Sequence, residues 1–171
     1  MHTAAFAEPP APGQAPTESV QASVESVQGS VEARLVDALR ACDAWIPELS
    51  LVATSGDGSV VGHVVCSRAS VGAVPVLGLG PLGVLPAFQR RGVGHALMHA
   101  VLGAADALGE PLVVLLGHSD YYPLFGFRLA EEYGITPPVP GWAPNFQART
   151  LSTYTPAICG EFTYAPPFDD V

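Results

Sequence analysis

The sequence predicts an α/β (α+β) domain, and three stretches predict it. Leu77 to Leu97 runs a strand into a glycine-bearing turn and then directly into a helix. The LVVLL run inside Pro111 to Gly117 is unbroken and apolar, the pattern of a strand buried on both faces. Leu49 to Thr54 and Val60 to Ser70 read as two strands joined at Ser55-Gly56-Asp57-Gly58, a turn composition. The chain has 171 residues, enough for one domain with a substantial core and not for a second catalytic one.

Residues 1–29 carry Pro9, Pro10, Pro12, Gly13 and Pro16 and few bulky apolar groups, which predicts a flexible tail. Val20, Val24, Val27 and Val31 stand at helical spacing with Gly29 interrupting them, so a weak helix is the alternative there. The folded domain is expected over residues 30–171. From residue 31 to 42 Val31, Leu35, Val36 and Leu39 share one side of a helix, Glu32, Asp37 and Arg40 lie largely outward, and Ser30 is placed to cap it. Residues 49–54 form an edge-type strand and residues 60–70 its hairpin partner. In the strand from residue 74 to 84, Leu77, Leu79, Leu82 and Val84 are strand-like, but Pro81 removes a ladder donor in their midst. That predicts a bulge near Gly80-Pro81, which would splay this strand from a neighbour and leave backbone groups free for a ligand. A helix over 89–108 follows, with Val93, Leu97, Val101 and Leu102 on one face. The strand at 111–117, a short helix at 120–124, a strand at 127–130 and a late strand at 146–153 complete the domain.

Gly92 and Gly94 fall in the first turn of the 89–108 helix, where each costs about 1 kcal/mol relative to alanine. Close backbone approach to an anion would compensate: amides at a helix start are unpaired, the helix dipole favours negative charge, and missing side chains admit a phosphate. Arg90 and Arg91 place two of only seven basic residues here, in a chain of formal net charge -9. This concentration suits a polyanionic cofactor. The stretch lacks the G-x-G-x-x-G dinucleotide fingerprint and the Gly-Lys-Ser/Thr ending of a nucleotide P-loop, and the chain contains no lysine.

Gln89-Arg90-Arg91-Gly92-Val93-Gly94 resembles the Q/R-x-x-G-x-G/A acetyl-CoA-binding motif of the GCN5-related N-acetyltransferase (GNAT) superfamily. Downstream, Tyr122-Pro123-Leu124-Phe125-Gly126-Phe127 is similar to that family's Tyr-x-x-x-Gly-Phe element. The chain also resembles bacterial predicted acetyltransferases that carry a YYPxFGF segment and an EARLVDALR-like helix, here Glu32 to Arg40. The resemblance implies the acyl-CoA N-acyltransferase fold, a mixed central sheet flanked by helices, with acetyl-CoA between two splayed central strands and direct acetyl transfer to an amine. It places the pyrophosphate on the backbone amides of Arg91 to His95, and the pantetheine and thioester against the main chain of Leu82 and Val84. Gln89, Arg90, Arg91, Gly92, Val93, Gly94 and His95 are thus the candidate cofactor turn. Tyr122 takes the motif position where the family usually has its general acid, and a phenol of pKa near 10 can donate a proton without carrying charge into an apolar cleft. Two departures stand out: the family's first strand and most of its first helix are absent, and LLGH at Leu115 to His118 replaces the usual Asn-x-x-Ala. A start further upstream, partial replacement by residues 17–28, or an exposed sheet edge covered by a second subunit in a homodimer would each accommodate the first departure.

No base follows from the resemblance, because Gly80-Pro81 stands where many relatives carry an acidic residue. His118 and Asp120 lie just past a buried strand, and histidine has the more useful pKa, so His118 is the candidate base, with water-mediated deprotonation as the alternative. His95 and His99 stand four apart on one helix face, but neither a third acidic ligand nor an HExxH context accompanies them, and no metal is expected. Cys42, Cys66 and Cys159 are odd in number and lack C-x-x-C spacing, so neither a disulfide scaffold nor a zinc site is expected, and each reads as a buried or half-buried thiol. With seven arginines and no aromatic-basic patch there is little to drive nucleic-acid binding. No apolar run reaches membrane-spanning length and residues 1–10 lack the features of a secretion signal, so a cytoplasmic protein without a membrane partner is expected. Two functions remain open: an N-acetyltransferase acting on a small-molecule or peptide amine, and a non-catalytic acyl-CoA-binding or regulatory protein on the same fold.

Overall fold

A computed structural model describes residues 31–170. The expectations for residues 1–29, the Ser30 cap and the absent first strand lie outside the described residues. Helix α1, residues 31–40, ends two residues earlier than its apolar spacing suggests. It buries Leu35, Val36 and Leu39 against Val65 and Ala165. Strand β1 (Ser50–Thr54) pairs antiparallel with β2 (Val60–Val71), and β2 pairs antiparallel with β3 (Val74–Val84). Helix α2 spans Val93–Ala107 and β4 spans Leu112–Leu116. Then come β5 (Arg128–Leu129), β6 (Ile135–Thr136), β7 (Phe146–Thr150) and β8 (Gly160–Thr163).

The sheet runs β5-β7-β4-β3-β2 and continues through β8 to β6, while β1 lies along the other half of the long β2. It is mixed: β3 and β4 are parallel, whereas β4 and β7 are antiparallel. Alternation along β4 sorts its side chains to two cores. Val113 and Leu115 join Leu97, Met98, Val101 and Leu102 of α2, and Leu112 and Val114 face Phe146 and Phe162 on the opposite side. The LVVLL stretch is thus a strand covered on both faces, as its composition predicts. The thiols divide: Cys66 is buried and Cys42 half-buried, while Cys159 is exposed, contrary to expectation, beside the short β8 that the sequence pattern did not reveal.

The predicted bulge is present. Val64 opposes Leu82 and Cys66 opposes Leu79, so Gly80-Pro81 adds one residue to β3 relative to β2. On its other side β3 meets β4 only at Leu77/Val113 and Gly78/Val114. Beyond that point the parallel strands part, and the edge of β3 from Leu79 to Val84 pairs with no strand on that side among the described residues.

Candidate active site at the strand splay

The turn leaving β3 differs from the continuous helix that spacing predicts. Pro86–Phe88 is a 3-10 turn, Gln89 to Gly92 form a further turn, and α2 begins only at Val93. Arg90 has φ 58° and Gly92, the N-cap, has φ 84°. Two left-handed residues so close together turn successive amides away from the helix ladder, a conformation glycine adopts freely and arginine does not. The Gln89 amide donates to the Pro86 carbonyl at 3.3 Å, and the next amide to donate within the protein is that of Ala96, to the Gly92 carbonyl at 2.9 Å. Among the described residues the amides of Arg90 to His95 meet no protein acceptor. Nothing lies within 4 Å of a Cβ built on Gly92, so its backbone angle, and not crowding, demands glycine there.

Gly94 has a different reason. A Cβ there would lie 2.8 Å from the Tyr121 hydroxyl, so the missing side chain accommodates Tyr121 as well as any ligand. Gln89 ties the turn to the strand by donating Nε2 to the Val84 carbonyl at 3.0 Å. The Arg91 guanidinium sits 5.7 Å from the centre of the Phe88 ring, and both Arg90 and Arg91 are exposed. His95 packs against Tyr121 and Phe125, and His99 against Phe125. Among the described residues no group of His, Cys, Asp and Glu is placed to hold a metal ion.

Tyr122 opens the 3-10 turn Tyr122–Phe125, which Gly126 ends with φ 83°. Phe125 and Phe127 are buried core residues. Burial pushes the Tyr122 hydroxyl up to about 12, with the charges of Tyr121 and Glu32 adding to the rise. The group is therefore protonated throughout the neutral range. Its ring packs against Gly117: a Cβ on that glycine would overlap the ring, with Cδ2 only 2.8 Å away. Two side chains of β7 hold this segment in place. Gln147, 2% exposed, donates Nε2 to the Gly117 carbonyl at 3.0 Å and to the His118 carbonyl at 3.5 Å. Arg149 donates to the Phe125 carbonyl at 2.6 Å. Replacing Gln147 with leucine leaves the Gly117 carbonyl without its partner, and we expect a loss of about 1–3 kcal/mol in urea unfolding. Turnover should fall further than acetyl-CoA affinity, because the disturbed loop carries Tyr122 and not the amide turn.

Three site residues escaped the sequence pattern. Glu32 is half-buried, not outward, and burial raises its carboxyl above the usual range. It faces β3: a Cβ on Gly83 would lie 3.7 Å from Glu32 Oε2 and 3.2 Å from His63 Nε2. His63 Nε2 is buried without a partner among the described residues, and burial together with the Arg40 charge lowers its pKa, keeping the ring neutral. Tyr164 packs on Gly78, where the strands part, with its ring 3.2 Å from a Cβ built there. His118, the base expected from sequence, is exposed.

An acyl-CoA transferase fold is what this arrangement defines: a mixed sheet with its parallel strands parted at the centre, unpartnered amides at the turn that follows β3, and a half-buried, protonated tyrosine in the turn that follows β4. Known proteins agree. Residues 23–123 match the acetyltransferase (GNAT) family, and the chain belongs to that family. It is 33% identical over 123 residues, 71% of this chain and 72% of the relative, to the Escherichia coli K12 protein named uncharacterized N-acetyltransferase YhbS. The crystal structure of E. coli YhbS in complex with CoA is similar at 30% identity and TM-score 0.76, covering 81% of this chain and 78% of that one. A GNAT family acetyltransferase from Brucella melitensis in complex with acetyl-CoA is similar at 35% identity and TM-score 0.65, with the same coverage. No helix among the described residues is long and apolar enough to cross a membrane.

Proposed function

We propose that this protein transfers the acetyl group of acetyl-CoA directly to a primary amine of a small molecule or peptide. The observation that carries the proposal is the run of amides from Arg90 to His95 with no protein acceptor, opening where β3 has lost its parallel neighbour. These donors and the α2 dipole fit a pyrophosphate. The free edge of β3 at Leu82 and Val84 fits the pantetheine amides, although the Val84 carbonyl already accepts one bond from Gln89. CoA and acetyl-CoA in two similar solved structures support the same ligand here. When bound, acetyl-CoA supplies the acetyl group as a thioester.

Net transfer moves one proton off the amine nitrogen and one onto the departing sulfur. Tyr122 is the group we assign to the second proton: it is protonated at neutral pH, and its hydroxyl enters none of the side-chain hydrogen bonds among the described residues. For the first proton we favour Glu32 over His118. Glu32 is half-buried against Gly83 of the free strand and its charge is felt at the Tyr122 hydroxyl, while His118 stands exposed.

The test is CoA release from acetyl-CoA in the presence of a panel of primary amines, with the acetylated amine identified by mass. Amine-dependent release with a matching product supports transfer. Acetyl-CoA binding with no acetylated amine across the panel supports the non-catalytic acyl-CoA-binding alternative. The pH profile then separates the bases. A base works ionised, so activity climbs with pH through its pKa, and burial moves the climb for Glu32 to higher pH than an ordinary carboxylate shows. Glu32→Gln should abolish that climb and lower kcat/KM about 10²-fold or more, and His118→Ala should leave it in place. The reverse pattern would return the role to His118.

A further inference from the structure

A second feature of the splay concerns the acceptor, and it rests on the acetyltransferase reading. A cavity of about 430 Å³ opens on β3 at Gly80 and Pro81 and reaches Leu116 at the end of β4. These are the residues where the two strands have parted. Its walls are aromatic: Trp142, Phe162, Tyr164 and Phe168. They are braced against one another, with Tyr164 edge-on to Phe162 at 4.6 Å between ring centres and tilted on Phe168 at 4.6 Å. Trp142 lies 6.4 Å from Tyr164. Glu161 and Asp169 also line it and are exposed, so their carboxylates stand at its mouth. No lysine or arginine lines the cavity, and neither carboxylate has a cationic partner within ion-pair distance among the described residues.

We propose that this cavity receives the acceptor and that the acceptor is an arylalkylamine without a carboxylate. A planar apolar body matches walls built of ring faces and edges, where aromatic pairs gain beyond simple burial. The two carboxylates draw an ammonium towards the mouth and repel an acid, so an amine is admitted and the corresponding amino acid is disfavoured. Tyr164 links the cavity to the chemistry: its ring lies on Gly78 and its hydroxyl lies close enough to Tyr122 to feel that group's charge. An aryl group among Trp142 and Phe168 with a short chain would bring its nitrogen to the gap where β3 and β4 part.

Phenethylamine, phenylalanine and n-butylamine separate these ideas by calorimetric binding to the acetyl-CoA-saturated protein and by turnover. Phenethylamine should bind about tenfold or more tightly than either of the others. Trp142→Ala should weaken phenethylamine about tenfold without changing acetyl-CoA affinity. The surface pair Glu161→Gln and Asp169→Asn, which disturbs no packing, should narrow the preference over phenylalanine. Equal binding of all three, or indifference to both variants, overturns the inference. Binding of phenethylamine that Trp142→Ala abolishes, with no acetylation, upholds the cavity's assignment and sinks the acetyltransferase reading. Acetylation of a polyamine or peptide lysine, with phenethylamine unbound, does the opposite.

Discussion

Tyr122→Phe should lower kcat by about 10² to 10⁴-fold and leave the dissociation constant for acetyl-CoA unchanged. The substitution removes only an oxygen, keeps the ring that packs edge-on against Tyr121 and Phe127, and touches none of the amides from Arg90 to His95. A change confined to turnover is the signature of a group acting on the departing sulfur. Gly117→Ala tests the same role from the supporting side. Its methyl would take space the Tyr122 ring occupies, so the ring must move, and turnover should fall although the hydroxyl is still present. Steady-state kinetics with direct titration of acetyl-CoA checks both. Equal turnover by the phenylalanine variant would remove Tyr122 from the chemistry.

The second large effect is expected on affinity. Gly92→Val puts a β-branched residue at φ 84°, a conformation costing of order 1–3 kcal/mol. The turn can relieve that strain only by rotating its amides. Each charge-assisted bond lost to phosphate would forfeit about 1.5–3 kcal/mol, so acetyl-CoA should bind tenfold to more than a hundredfold more weakly. Gly94→Val should act in the same direction by another route, because its side chain would meet the Tyr121 hydroxyl that sits 2.8 Å from the Cβ position. Gly103 is the control: it lies exposed in the same helix with nothing within 4 Å of its Cβ position. Gly103→Ala should add up to about 1 kcal/mol of stability by helix propensity alone and leave binding untouched. Retained affinity in the Gly92 variant would mean that the amides do not carry the phosphate.

Much of this site was legible along the chain because it depends on local signals. Pro81 within an apolar strand announces the bulge, the LVVLL run announces β4, and the glycines with their flanking arginines mark the turn. What was lost depends on backbone angles or on distant packing. Apolar spacing reads Gln89 to Gly92 as helix, since it cannot register that Arg90 and Gly92 adopt positive φ. Glu32 reads as outward from the pattern of α1 alone, because the pattern holds no trace of Gly83, whose missing side chain leaves room beside β3 for a carboxylate. Strand β8 is four residues of mixed polarity, recognisable only through its pairing with β2 and β6. Tyr164 follows it into the splay for the same reason. Gln147 and Arg149 carried one usable signal: they alternate with the buried Ala148 in an otherwise ordinary strand, and a buried polar side chain there needs a partner, which the Tyr122 loop supplies.

Amide chemical shifts, followed residue by residue as CoA is titrated into the labelled protein, test the phosphate cradle most directly. Arg91 to His95 should show the largest downfield changes, saturating together with the calorimetric isotherm and diminished in the Gly92 variant. Shifts that leave these amides unmoved while CoA binds elsewhere on the protein would contradict the account.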